Sequence, residues 1–206
     1  MTALDSLPNC VARVVVIGGS TGAAVGLREL LAAVCIDVPI IVAVHVGASA
    51  ENAGFKWEHA LLGGLAMPVC EVVDKVLLRR GHIYVCPADY HGLVEKSGCL
   101  ALSVEQRVNF CRPSIDVLFE SAADAFSEQV VGILLSGANE DGAIGVRKIK
   151  VCGGVVAIQD PVEAEAAAMP RAGIALAEPD LVGSLQDLRQ LLMRVHYPKA
   201  GTYGEG

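Results

Sequence analysis

At 206 residues the chain fits a single domain, since single domains commonly run about 100–200 residues. Hydrophobic residues make up 53%, but the charge-free stretches from Val14 to Leu27 and from Val38 to Ala50 are broken by Gly, Ser, Thr, Pro or His. Both fall short of the ~18–20 continuous apolar residues of a membrane span, and a net charge of −7 excludes the basic surplus that nucleic acid attracts.

In chain order, Arg13–Ile17 reads as a first strand. A helix over Ala23–Val34 follows, with Leu27, Leu30, Leu31 and Val34 on one face at helical spacing. PIIVAVHVG is a second strand whose unbroken apolar run indicates burial on both sides, and Asn52–Leu62 is expected to be helical. The middle changes character: PVCEVV, HIYVCPAD, HGLVEK and CLALSV are short strands, with Ser97–Gly98 as a hairpin turn. RPSIDVLFESAADAF opens a helix with Pro113 and Ser114 in its first turn and Ile115, Leu118, Phe119 and Ala122 as its core stripe. Val130–Gly137 is another buried strand, DGAIGVRKIK a helix and Gly153–Gln159 the next strand. Helical stretches around VEAEAAA and PRAGIALA and an amphipathic helix over Ser184–Val195 complete the chain.

Strands alternating with helices predict an α/β fold: three layers, a doubly wound, mainly parallel sheet, and an antiparallel hairpin addition at one side. Seven cysteines, at 10, 35, 70, 86, 99, 111 and 152, form an odd set without a C-x-x-C pair. Most fall inside apolar runs and read as small hydrophobic, structural thiols rather than metal ligands, because zinc sites usually need closely paired ligands.

The segment IGGSTG at the end of the first strand admits three readings. A Walker phosphate loop fails because no lysine follows, and a dinucleotide fingerprint fits poorly because the glycine spacing is wrong. The third reading is G-x-S-x-G: Gly18, Ser20 and Gly22 make a strand-to-helix elbow that presents the Ser20 hydroxyl at a helix start. An ordinary glycine-rich turn competes with it, and context decides. In open α/β sheets, reactive groups gather beyond the C-terminal ends of strands. His45 follows the second strand and Asp141 follows VVGILL. A histidine to take the proton and an aspartate to orient it are what a weak hydroxyl nucleophile requires. His59, His82, His91 and His196 are weaker candidates by position, and Glu140 is the rival to Asp141. The chain order Ser, His, Asp is not that of the α/β-hydrolases, which run Ser, acid, His.

Between about Arg13 and Val195 these motifs, with GHIYVCPADYH, RPSIDVLF, SGANEDGA and MPRAGIA, resemble the catalytic domain of the chemotaxis receptor methylesterases. The resemblance implies hydrolysis of glutamate γ-methyl esters on receptor signalling helices, with release of methanol, and deamidation of receptor glutamines. It implies Ser20 as nucleophile, His45 as general base and Asp141 as the third triad member, and it implies no metal and no cofactor. The backbone N–H of Thr21, beside the nucleophile, is the expected oxyanion donor. Departures from the family pattern flank the site: Val44, Val46 and Gly47 around the histidine, Ala138, Asn139 and Glu140 before Asp141, and Ala23 after the elbow.

The expected organisation is an N-terminal tail over 1–12, a catalytic domain over 13–196 and a disordered tail over 197–206, with no receiver domain. The opening MTALDSLPNC lacks the basic and apolar regions of a signal peptide, so a cytoplasmic location without membrane insertion is expected. Expected partners are methylated receptor helices and a regulatory receiver or methyltransferase domain outside this chain, not nucleic acid. Because receptor helices are acidic, Arg112, Arg147, Lys148 and Arg171 are candidates for a basic docking rim. Two alternatives stay open: a serine hydrolase acting on another ester or amide, and a catalytically silent partner-binding module.

Overall fold

The computed structural model describes residues 10–45 and 65–199; the helix expected over 52–62 lies outside them. At its centre is a seven-stranded sheet. Its strands in chain order are β2 (Val14–Gly19), β3 (Ile40–Val44), β4 (Val69–Glu71), β6 (Ile83–Val85), β9 (Val130–Leu134), β10 (Val155–Gln159) and β11 (Leu181–Gly183). The spatial order is β11-β10-β9-β2-β3-β6-β4, and every neighbouring pair is parallel. From β2 the chain winds first toward β3 and later returns to β9 on the other side. The switch point therefore lies between β2 and β9, where an open α/β sheet forms its crevice.

The four central strands are buried along their whole lengths, apart from half-buried Val155 at the start of β10. This is why their sequences are continuous Val and Ile runs rather than alternating ones. Alternate side chains enter opposite layers. Val15, Ile17, Ile40 and Val42 pack with Leu27, Leu30 and Leu31 of α1 (Ala23–Leu31) and with Leu188, Leu191 and Leu192 of α5 (Leu185–Leu192). Val14, Val16, Ile41 and Val130 pack with Leu118 and Phe119 of α2 (Ile115–Phe126), Ile149 of α3 (Ala143–Val151) and Ala177 of α4 (Ala168–Ala177). Each large aliphatic side chain so buried contributes roughly 1.5–3 kcal/mol relative to exposure.

The predicted three-layer α/β class is thus observed, with two corrections in the middle of the chain. PVCEVV and HIYVCPAD supply β4 and β6, which extend the parallel sheet. The antiparallel addition is a separate three-stranded sheet of β5 (Val76–Leu77), β7 (His91–Val94) and β8 (Cys99–Ser103), in the order β5-β8-β7. The expected Ser97–Gly98 turn joins β7 to β8, with Gly98 at φ 85. The stretch VEAEAAA is not helical. Asp160 organises it as a turn: its side chain accepts from Val162 N and its carbonyl from Glu163 N and Ala164 N. Two further strands, β1 (Cys10–Val11) and β12 (Val195–His196), pair in parallel and close the ends of the described chain together. No helix among the described residues is long and apolar enough to cross a membrane.

Candidate active site

Three of the parallel strands deliver the predicted residues to one edge. Ser20 directly follows β2 and His45 directly follows β3, and the register pairs Gly19 with Val44. The His45 N–H donates to the Gly19 carbonyl at 3.1 Å, so the two residues leave adjacent strands side by side. Asp141 comes from the loop after β9, the neighbour of β2 on its other flank.

The elbow at Ser20 has the expected form. Gly22, at φ 78, precedes the first turn of α1, and a Cβ there would lie 2.6 Å from Glu165 Cβ. Glycine is therefore required by conformation and by space. Ser20 N–H donates to the Ser136 carbonyl at 2.8 Å, and Ser136 Oγ donates to the Thr21 carbonyl at 2.7 Å. Ser136 Oγ in turn accepts from Ala166 N, and Ser136 N–H is held by Gln159 Oε1. The elbow is thus clamped to the end of β9, and among the described residues no acceptor takes the Thr21 N–H.

Asp141 is wholly buried. Its Oδ2 accepts from Ile115 N at 2.7 Å, and its Oδ1 accepts from Ser114 Oγ at 2.9 Å, Asp116 N at 3.2 Å and Asn109 Nδ2 at 3.3 Å. Ser114 is the N-cap of α2. The carboxylate therefore sits on the unsatisfied N–H groups of a helix start, where a negative charge is favoured. Oδ2 also meets His45 Nε2 at 2.7 Å. Burial alone would raise the Asp141 carboxyl, but the hydrogen bonds from His45 and Ile115 outweigh it and hold the group below its ordinary range. Burial likewise disfavours the His45 cation, yet the bonds to Asp141 and Cys111 raise its pKa to about 9. Asp116 lies next to this pair, pushed up to about 6 by burial and by the Asp141 charge.

Since a carboxylate can only accept, Nε2 carries a proton toward Asp141, and once the ring is neutral Nδ1 is the free nitrogen. Nδ1 faces Cys111 Sγ at 3.4 Å and Asn139 Nδ2 at 3.5 Å. Among the described residues no hydrogen bond joins Ser20 Oγ to the ring. The structure thus brings His45 and Asp141 into contact and places Ser20 on the adjacent strand end. Glu140, the rival acid, is exposed and contributes its carbonyl to the first turn of α3. His91 is buried and accepts from Ser114 N at Nδ1, which steadies the α2 cap.

Sequence reasoning missed Ser114, Asn109, Ser136 and Cys111. Ser114 and Ser136 show only as a cap residue of RPSID and a loop residue of SGANEDG, and Asn109 lies in neither motif. The reading of the cysteines as core hydrophobes holds for buried Cys10 and Cys86 only: Cys35 is exposed, Cys70, Cys99 and Cys152 are half-buried, and half-buried Cys111 lies against His45. Of the candidate basic rim, Arg112 donates to the carbonyls of Val104 and Glu105, and Lys148 pairs with Asp124 at 2.8 Å. Arg147 and Arg171 are exposed.

The sequence profile of the CheB methylesterase family matches residues 15–192. The chain belongs to the CheB methylesterase family. A putative protein-glutamate methylesterase/protein-glutamine glutaminase of Leptospira interrogans is 38% identical over 183 residues, covering 88% of this chain and 93% of that protein. A protein-glutamate methylesterase/protein-glutamine glutaminase of Paraburkholderia xenovorans is 34% identical over 187 residues, covering 88% of this chain and 50% of that protein. The fold matches the crystal structure of the Thermotoga maritima CheB methylesterase catalytic domain with a TM-score of 0.81 at 24% identity, over 88% of this chain and 97% of that one.

Proposed function

We propose that this CheB family member hydrolyses glutamate γ-methyl esters on receptor signalling helices, and deamidates glutamines there, through Ser20, His45 and Asp141. The observation that carries the reading is the buried His45–Asp141 pair at 2.7 Å, set beside a glycine-flanked serine elbow at the switch point of the sheet. A partner-binding module has no use for an imidazole oriented by a fully satisfied buried carboxylate, whereas acyl transfer does.

In this mechanism Ser20 Oγ attacks the ester carbonyl while His45 Nδ1 takes its proton. Asp141 holds the ring through Nε2 and stabilises the imidazolium. The carbonyl oxygen becomes an oxyanion within reach of the Thr21 N–H, a type of donor worth about 3–4 kcal/mol in the transition state. Collapse expels methoxide, which leaves as methanol with the proton from His45, and water then cleaves the acyl-serine by the same route in reverse. A glutamine follows the same path with ammonia as the leaving molecule. The reaction takes place in the cytoplasm, where the signalling helices of such receptors lie, and exposed Arg147 and Arg171 offer cations to an acidic helix.

The test is methanol release from membranes bearing methylated receptor, by the wild-type chain and by Ser20→Ala. Release by the wild type that the variant lacks supports the reading. Labelling of Ser20 by a phosphonate probe without methanol release identifies a hydrolase of another ester or amide. Absence of both identifies a binding module.

A further inference from the structure

Two features of the site are left over by the triad: a cysteine beside the general base and an unusually well-fixed loop that puts it there. Cys111 closes a tight turn with Val108, whose N–H donates to the Cys111 carbonyl at 3.2 Å while Cys111 N–H donates back at 2.8 Å. Asn109 and Phe110, between them, both adopt positive φ, at 50 and 64. Asn109 is anchored in turn by its amide, which bridges the carboxylates of Asp116 and Asp141. The turn that carries Sγ is therefore tied to Asp141, the carboxylate that also holds His45.

Sγ and His45 Nδ1 lie 3.4 Å apart, and the Asn139 amide reaches both, at 3.3 Å from Sγ and 3.5 Å from Nδ1. Two acceptors thus converge on one point. In tetrahedral zinc coordination, with Zn–N of about 2.0–2.1 Å and Zn–S of about 2.3 Å, the nitrogen-to-sulfur edge is about 3.5 Å. The other ring nitrogen of His45 is bonded to Asp141, the carboxylate–histidine arrangement that orients metal-ligating imidazoles. His45, Cys111 and Asp141 form a trio with ligand atoms within 4.8 Å of one another. Asp141 already accepts from Ser114, Ile115, Asp116 and Asn109 as well as His45, so it belongs behind the ring rather than on the metal.

We propose that His45 Nδ1 and Cys111 Sγ form the protein half of a binding site for a zinc-class divalent cation, and that occupancy shuts off the hydrolase. Binding exchanges the S–H bond for an S–metal bond, with the proton released to solvent. The remaining coordination positions fall to water. Thiolate and imidazole together select a borderline-soft cation over magnesium or calcium. The site stands on geometry alone, whereas the inhibition rests on the proposed role of Nδ1 as base: a cation there occupies the lone pair that must take the serine proton.

The test titrates cobalt(II) into the full chain as wild type, Ser20→Ala, Cys111→Ala and Cys111→Ser, following the near-ultraviolet thiolate-to-cobalt band. Zinc inhibition of methanol release is measured in parallel. The band is expected in the wild type and in Ser20→Ala, displaced by zinc, and absent from both Cys111 variants. Saturating zinc is expected to lower wild-type release by about 10²–10⁴-fold, the usual contribution of a general base, with recovery on chelation. Each Cys111 variant is expected to keep its own metal-free rate. No band in the wild type, or a band that persists in Cys111→Ala and Cys111→Ser, overturns the site. So does equal zinc inhibition of the wild type and the Cys111 variants. A cysteine-dependent band in a chain that releases no methanol leaves the site standing and removes the proposed function instead.

Discussion

The two edges of the His45 ring are held very differently. On the Nε2 edge, Asp141 is wholly buried and takes hydrogen bonds from two backbone N–H groups at a helix start, a capping serine and an asparagine. On the Nδ1 edge the contacts are longer, to a thiol and an amide, and the ring reaches solvent with 11% of its side chain exposed. The contrast follows from what each edge must do. An orienting acid works best when nothing about it moves, because any slack becomes slack in the base. The proton-accepting edge must exchange partners during turnover, so longer contacts to the ring are tolerable there.

Removing groups edge by edge breaks this comparison most severely at the nucleophile. Ser20→Ala deletes the attacking atom and is expected to lower kcat by about 10⁴–10⁶-fold with the melting temperature nearly unchanged, as steady-state rates and thermal melts would show. Asp141→Asn comes next. It leaves the volume intact but puts an amide where a carboxylate receives four protein donors and fixes the ring tautomer, so kcat is expected to fall by about 10⁴-fold. Stability falls too, because the amide N–H₂ must face donors at the α2 start. A double variant no worse in kcat than Ser20→Ala alone would show the two edges acting as one unit.

The pH dependence sharpens the same contrast. A base must be neutral to act, and the His45 pKa is raised from 6.5 to about 9. Activity of the chelator-treated protein is therefore expected to climb roughly tenfold per pH unit below that value and to level off above about 9. Stability moves the opposite way. A raised histidine pKa contributes stability that is complete below 6.5 and is lost as pH rises through about 9, while the lowered Asp141 carboxyl contributes stability that is lost only as pH falls through the acid range. Thermal melts are thus expected to weaken between pH 6.5 and 9 while turnover rises. A melting temperature that rose across that window would contradict the ion pair.

The strands and helices that carry the site were legible because burial writes itself into sequence. β2, β3, β9 and β10 are continuous Val and Ile runs, and the stripe Ile115, Leu118, Phe119, Ala122 is buried as its spacing implies. The directions of β4 and β6 were not legible, since a three-residue strand carries no record of which neighbour it pairs with or how. VEAEAAA has the composition of a helix, but Ser136 Oγ takes the Ala166 N–H and Gly137 N–H takes the Ala166 carbonyl. These tertiary bonds outbid local propensity. At the site, Ser20, His45 and Asp141 stood out because each follows a buried strand. Cys111 lies 66 positions from His45 in a turn with no such signal, and only the folded chain brings them together.

The smallest expected effect separates the cap from the acid. Ser114 Oγ both accepts from Val117 N at 3.4 Å, capping α2, and donates to Asp141 at 2.9 Å. Ser114→Ala loses both bonds and is expected to cost about 0.5–2 kcal/mol of stability, read by denaturant unfolding. Turnover should fall only modestly, because Ile115 N, Asp116 N and Asn109 still hold the carboxylate. Ser114→Gly also loses the bond to Asp141, yet glycine at an N-cap costs only a few tenths of a kcal/mol. If the two variants share one kcat but differ in stability, the helix cap and the orientation of Asp141 are separable functions of one hydroxyl. If the glycine variant is as unstable as the alanine one, the stabilisation lies in the hydrogen bond to Asp141, and the rigid edge of the site is also what anchors the start of α2.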